Sequence, residues 1–549
     1  MAVLLQMVKP WCETMGQARH HTAVCQRFGE GCAVQIFKKN WAPALMGKAL
    51  IALFIIAIQP LAAPHASAQP ALPTLGDGLD MTVSAERRLG DRIIRELYRD
   101  PDYVDDAPLQ EYVQGIFDRL VQAAKERGEL PPELAERFAW QILLGRDRSV
   151  NAFALPGGYL GVHLGLIAVV DTPDELASVL AHELSHVTQR HISRLIAQQG
   201  RQTPLMLGAM ILGALAASRS PEAGQALMVG GQALVAQNQL NFSRDMEREA
   251  DRVGFGLMAP AGFAPQGFVE MFAKLQQANR LNDNGSWPYL RSHPLTTQRI
   301  ADMQGRAGHG ASAPPPASLE HVMMVARARV LMRSGVDAWR QWLAGVQDVG
   351  FAQRPRAERV GARYAATLAA MQLKDFAAAR QAWQGLQTDV RGDARAERQA
   401  RLLGAELELD AGNAPAALAL LSAPDVPTRP ELLLRTQALL RAGGADAMAA
   451  PLQTWVATYP QDAAAWQLLA QVWRQQGQNL RAIRAEAEAQ AAHYDYAAAV
   501  DRFKAGQDLA RRGQGGSGAG AANDYIEASI IDTRLRAVES LAKEQAAER

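Results

Sequence analysis

The sequence predicts a mostly helical α+β chain, in which a domain with a small sheet precedes an α-solenoid. Three observations predict it. Short strand-like stretches, "AWQILLG" (139–145) and "NAFALPGGYLGVHLGLI" (151–167), lie among helical segments, the second broken by Pro156-Gly157-Gly158. After a linker at 308–318, "GHGASAPPPAS", the composition shifts to Ala, Leu, Gln and Arg in paired helical segments. In that region Gly443 precedes Gly477 by 34 residues, the length of one tetratricopeptide unit. The 549 residues suffice for about three to four domains. A net charge of +1 and the lack of any basic run argue against a nucleic-acid partner.

The apolar run "ALIALFIIAI" (49–58) follows Lys38, Lys39 and Lys48 and is shorter than the ~20 residues that span a bilayer. Ala66-Ser67-Ala68 fits a signal-cleavage site, making 1–68 a signal peptide and Gln69 the first mature residue. Met46 offers a shorter start. Cys12, Cys25 and Cys32 all precede the cleavage site, so the mature chain would carry neither disulfides nor a catalytic thiol. That fits an oxidising compartment such as the periplasm.

Residues 84–128 read as helical, with apolar Leu89, Ile93, Ile94, Leu97, Tyr112, Ile116 and Leu120 in register. Asp171-Thr172-Pro173-Asp174-Glu175 is a helix start: a capping side chain, an early proline, and acids at the positive end of the dipole. Residues 205–240 combine two apolar runs with Gly208, Gly213, Gly230 and Gly231. They read as a buried helical hairpin or, alternatively, as a mobile lid or membrane-facing loop. In the C-terminal region Trp466, Leu469, Ala470, Trp473, Gly477 and Ala482 keep tetratricopeptide offsets, so 319–510 reads as a repeat array. Residues 511–522 read as a flexible linker and 523–549 as a last helix.

The helix after Pro173 carries His182-Glu183-Leu184-Ser185-His186. Positions i and i+4 share a helix face, so His182 and His186 can bind one metal, with Glu183 beside them as a general base. Two neutral imidazoles and a carboxylate suit Zn2+ and leave a fourth position open. A second helix, "NFSRDMEREADRVGFGL" (241–257), offers Glu247 and Asp251 on one face, with small Ala250 allowing close approach. Glu247 would be the third ligand and Asp251 the acceptor that holds a histidine N–H. Spacing alone leaves Glu249 as the ligand, or a solvated charge stripe with Arg244, Arg248 and Arg252, as alternatives. His191 lies five residues past His186, about 140° further round a continuous helix, and should face away from the metal. Arg299 and His293 are the candidate oxyanion donors.

H-E-x-x-H followed by E-x-x-x-D, in "HELSHVTQRH" and "SRDMEREAD", resembles the gluzincin peptidases that include the CAAX prenyl endopeptidases and the HtpX-type membrane protease. The resemblance implies a zincin-type metallopeptidase domain at 69–307 and raises Glu247 over Glu249. "VNAFALPGG" (150–158) resembles the family's strand beside the active site, making Asn151, Ala152, Phe153 and Ala154 substrate-strand candidates. "SHPLTTQRI" (292–300) resembles a segment after the third ligand, where the secreted branch of the family implies that His293 can occupy the open zinc position as a latch. That branch also implies a periplasmic endopeptidase acting on misassembled outer-membrane proteins, with the repeats contacting the barrel-assembly machinery. The alternative is a chaperone-like scaffold working mainly through its repeats.

Overall fold

The computed structural model describes residues 81–198, 243–280, 286–307, 317–333, 335–421, 428–513 and 519–547. The expected signal peptide at 1–68 and the apolar segment at 205–240 lie outside them. No described helix is long and apolar enough to cross a membrane.

The expected helical stretch at 84–128 forms α1 (Val83–Arg99) and α2 (Ala107–Glu126), separated by the short strand β1 (Tyr103–Val104). A short helix, α3 (Pro132–Arg137), leads to β2 (Gln141–Gly145), β3 (Ala152–Leu155) and β4 (Tyr159–His163). The sheet order is β1-β2-β4-β3, with β2 and β4 parallel and both outer pairs antiparallel. Gly157 and Gly158 close the β3–β4 hairpin with φ of 80° and 87°, a region costly for other residues. The strand-like reading extended too far: Leu164–Val169 is a helix, α4. It packs against a helix from the repeat region, and that tertiary partner outweighs local strand propensity.

Helix α5 (Pro173–Thr188) starts as its sequence requires, with Thr172 Oγ1 accepting from the Glu175 N–H (3.1 Å) and Asp174 and Glu175 in the first turn. It is buried on every face from Glu175 to Thr188 because α2, β3, α7 (Arg244–Met258) and α8 (Gln266–Arg280) surround it. Ser243 caps α7 by accepting from the Met246 N–H (3.2 Å). Close approach of α7 to α5 depends on Gly254 as well as on buried Ala250. A Cβ at Gly254 would stand 3.0 Å from the Ala181 carbonyl and 3.1 Å from the His182 nitrogen. Helices α6 (His191–Gln198), α9 (Tyr289–Ser292) and α10 (Thr297–Ala307) complete the described part of this region.

A helical repeat region follows. Helix α11 (Leu319–Leu331) packs on α4 and also on α13 (Arg356–Gln372), beyond α12 (Val336–Gly345), so it belongs to both halves of the core. Packed helix pairs follow, α13 with α14 (Phe376–Asp389) and α15 (Ala394–Asp410) with α16 (Ala414–Leu420), whereas α17 (Arg429–Ala442) and α18 (Ala449–Thr458) are joined by a 3-10 turn at Ala445–Met448 and both pack on the helix that follows them. Next come α19 (Ala463–Gln475) with α20 (Asn479–Ala492) and α21 (Tyr496–Gly513) with α22 (Ala519–Ala547). Gly443 and Gly477 take φ of 79° and 72° at helix ends, as a repeated turn requires. At the edges of the expected linker at 511–522 the described residues are helical, α21 running to Gly513 and α22 beginning at Ala519, and 514–518 lie outside the described residues. Both helices pack together around Phe503, Ile531 and Leu535.

The array is tied to the first half at both ends. Near its start, buried Arg327 pairs with Asp106 (2.7 Å) and Glu406 (3.0 Å). Near its end, buried Tyr494 joins the small core of Leu89, Ile93, Ile94, Leu143, Leu155 and Tyr159, and Arg99 pairs with Asp495 (3.1 Å).

Candidate metal centre

Helix α5 supplies His182, Glu183 and His186, the start of α7 supplies Glu247, and the segment after α9 supplies His293. All five are at most 2% exposed. One ligand atom from each of His182, His186, Glu247 and His293 lies within 4.8 Å of the others. His182 Nε2 is 3.0 Å from His186 Nε2, 3.3 Å from His293 Nδ1 and 3.5 Å from Glu247 Oε2. Glu247 Oε1 is 3.4 Å from His186 Nε2 and 3.0 Å from His293 Nδ1. Zinc–nitrogen bonds of about 2.0–2.1 Å in a tetrahedron place neighbouring donors about 3.3 Å apart, so these separations fit one zinc ion.

The outer nitrogens of the two helix histidines are turned away from this point. His182 Nδ1 pairs with Asp251 Oδ1 (2.9 Å), and His186 Nδ1 meets His191 Nδ1 (2.8 Å). Asp251 sits in the fork of Arg299, at 2.6 and 2.8 Å. Arg299 Nη1 also lies 2.8 Å from Glu247 Oε2 and donates to the Pro294 carbonyl (2.9 Å). Arg299 is therefore not free to serve as the oxyanion donor envisaged from sequence; it clamps the acids of α7. Glu249, the alternative ligand, faces away from the centre and accepts from His191 Nε2 (3.1 Å) and Arg194 (3.0 Å).

Charge follows this wiring. Burial disfavours the His182 cation, but Asp251 and Glu247 outweigh it and hold the imidazole up at about 9 in the metal-free protein. Burial pushes His186 well below its usual value. Burial would raise Glu247, yet the three surrounding histidines pull it well below the carboxylate range. Glu183 is pushed up, chiefly by burial. Raised basicity suits a group that must take up a proton.

Glu183 bridges two elements. Its Oε2 accepts from the Ala154 N–H (2.9 Å), and its Oε1 lies 3.4 Å from His293 Nε2. Strand β3, which holds Ala152, Phe153 and Ala154, is the sheet edge facing the centre. Asn151 precedes it, with its carbonyl accepting from the His163 N–H (3.0 Å) and its buried Oδ1 without a hydrogen-bond partner among the described residues. His293 is stacked on Tyr289, with ring centroids 4.6 Å apart. Sequence reading missed Tyr289, although an aromatic four residues before a histidine was a usable signal. It also treated α5 as continuous to His191. The helix ends at Thr188, Arg190 takes φ of 52°, and His191 is thereby brought against His186. His191 is still not a member of the metal group.

A mostly helical domain with a small sheet, an H-E-x-x-H helix and a facing glutamate define a zinc metalloendopeptidase. Residues 109–307 match the model of peptidase family M48. The chain is 30% identical to the beta-barrel assembly-enhancing protease of Escherichia coli K12 over 432 residues, covering 77% of this chain and 85% of that one. A Vibrio cholerae relative, provisionally given the same name, is 35% identical over 271 residues, 49% of this chain and 53% of its own. The mitochondrial metalloendopeptidase OMA1 of Saccharomyces cerevisiae is 28% identical over 203 residues, 36% of this chain and 55% of its own. The chain belongs to peptidase family M48 and is a zinc-dependent metalloendopeptidase.

Proposed function

We propose that this chain is a latent periplasmic endopeptidase that removes misassembled outer-membrane proteins and aids their assembly. The likeness to beta-barrel assembly-enhancing proteases supports the client class, and a cleaved leader at 1–68 would supply the address. The repeat hairpins are read as tetratricopeptide units that recruit clients or the assembly machinery. An aromatic-lined cavity of about 1170 Å³ between the array and α1–α2, bordered by Tyr98, Tyr103, Trp455 and Tyr459, supports that reading. Membrane contact through 205–240 remains part of the proposal.

His182, His186 and Glu247 would hold the zinc, and Asp251 would fix the His182 ring. The ion supplies Lewis acidity toward water and the scissile carbonyl. Glu183 takes the proton from water on one carboxylate oxygen and delivers it to the leaving amine. An extended client would add to the β3 edge, placing its backbone beside Glu183. It would also compete with Glu183 for the Ala154 N–H.

One observation carries the latency: His293 is wedged between Glu247 (3.0 Å) and Glu183 (3.4 Å) in a closed centre. With Nδ1 among the ligand atoms, it fills the position that a client would need. Exchange of His293 for Ala should raise cleavage of an unfolded outer-membrane protein, and Glu183→Gln should abolish it with zinc retained. Unchanged cleavage by the first variant removes the latch; full cleavage by the second removes the mechanism. A second reading, a scaffold acting mainly through its repeats, is favoured by the array's two-ended attachment. Glu183→Gln that still restores barrel assembly in cells would support it.

A further inference from the structure

Two ligand histidines on one helix receive different outer partners. His182 Nδ1 meets a carboxylate directly, at Asp251 (2.9 Å). His186 Nδ1 meets another imidazole, His191 Nδ1 (2.8 Å), whose far nitrogen reaches Glu249 Oε2 (3.1 Å). Glu249 is held in turn by Arg194 (3.0 Å). His191 is fully buried, whereas Glu249 is 32% exposed, so the chain runs from the centre toward the surface.

We infer that His191 and Glu249 form a positioning relay that fixes the tautomer and ring orientation of His186 for zinc. The inference rests on His186 being a ligand. A metal bound at His186 Nε2 requires that nitrogen bare, which puts the ring proton on Nδ1. Nδ1–H then donates to His191 Nδ1, which must itself be bare. The His191 proton therefore sits on Nε2 and donates to Glu249. Each nitrogen has one consistent role, and no proton is left without an acceptor. Partners of this kind raise ligand basicity and hold the ring in place, and their loss typically weakens metal affinity by about 10–100-fold.

The backbone is built to make this contact. Helix α5 ends at Thr188 and α6 begins at His191, two residues after the α5 cap at Gln189. The turn puts non-glycine Arg190 at φ 52°, a conformation that costs about 1 kcal/mol or more. It is secured by Arg190 pairing with buried Glu86 (3.0 Å). A continuous helix would carry His191 round to another face.

Zinc affinity of the full chain, measured by competition with a chromogenic chelator, tests the relay without reference to cleavage. His191→Phe should weaken zinc binding about 10–100-fold while the metal-free far-ultraviolet dichroism stays unchanged. His191→Asn, whose amide can accept from His186, should stay within about threefold of the parent. A role in packing alone predicts the reverse order, because Phe fills the ring volume and Asn does not. Glu249→Ala, at a partly exposed position that should not impair folding, should cost about tenfold. The relay is overturned if His191→Phe binds zinc within twofold of the parent, if Asn is no better than Phe, or if Glu249→Ala has no effect. His186→Ala separates the two levels of the argument. If it keeps zinc, the ligand assignment has failed; if it loses zinc while the relay variants do not, only the relay has failed.

Discussion

Tyr494 Oη sits at the junction between the repeat array and the β3–β4 hairpin, 2.8 Å from Tyr159 Oη. Tyr159 already donates its proton to Asp91 Oδ1 (2.7 Å), so Tyr494 is the donor in the tyrosine pair, and it accepts from Arg87 Nη2 (3.3 Å). Tyr494→Phe removes one donor from Tyr159 and one acceptor from Arg87. Arg87 keeps Asp91 (2.7 Å) and the Arg137 carbonyl (3.1 Å), so no buried group loses every partner. The expected cost is about 1 kcal/mol, at the level of a single net hydrogen bond. Tyr494→Ala instead empties the space of a ring that is 5% exposed, and should cost about 3–5 kcal/mol. The assay is a double-mutant cycle of Tyr494→Phe with Tyr159→Phe, read from native-state hydrogen exchange of hairpin amides at 152–163. The two changes remove the same bond, so the double variant should recover about 1 kcal/mol of their summed effects. Coupling below about 0.3 kcal/mol is the additivity of independent sites and would refute the claim that the array braces the hairpin.

Gly254→Ala places a methyl group 3.0 Å from the Ala181 carbonyl, so α7 must move off α5 and carry Glu247 with it. Chemical denaturation should show a loss of about 1–3 kcal/mol, and zinc affinity should fall; an unchanged value of both would mean that the helices yield without disturbing the centre. Asp251→Asn leaves Arg299 with Glu247 as its remaining carboxylate among the described residues, drawing that side chain off the metal. Chelator competition should find zinc held about 10–100-fold more weakly, and retained affinity would dismiss Asp251 as a positioning group. His321 is buried neutral, its Nδ1 taking the Tyr112 hydroxyl proton (2.6 Å) and its Nε2–H donating to the Val170 carbonyl (3.2 Å), and burial pushes it down to about 4. The unfolded chain binds a proton near pH 6.5 that the folded chain refuses. Stability present above that pH should therefore fall by about 3 kcal/mol as the pH drops from 6.5 to 4. His321→Asn should flatten that slope in urea melts, and parallel curves would exclude His321 as its source.

Much of this protein is determined locally. His182 and His186 share a face because a helix repeats every 3.6 residues, and Thr172-Pro173-Asp174-Glu175 starts that helix through its own side chains. Pro156-Gly157-Gly158 dictates the hairpin turn, and Gly443 and Gly477 mark a repeat, because backbone freedom is a property of the residue itself. Tertiary structure decided the rest. Glu247 and Glu249 are two residues apart on one helix, about 200° round its axis, and only the side on which α7 meets α5 settles which of them faces the histidines. Arg299 became a clamp, not an oxyanion donor, because the segment after His293 folds back onto Asp251. His191 reached His186 through a positive φ at Arg190 that its residue type does not signal. Tyr494 meets Tyr159 from 335 positions away in the chain, a contact that exists only once the array has curved back onto the domain it follows. Spacing specifies what neighbours along the chain can do together; which distant side chains complete them depends on how the helices pack.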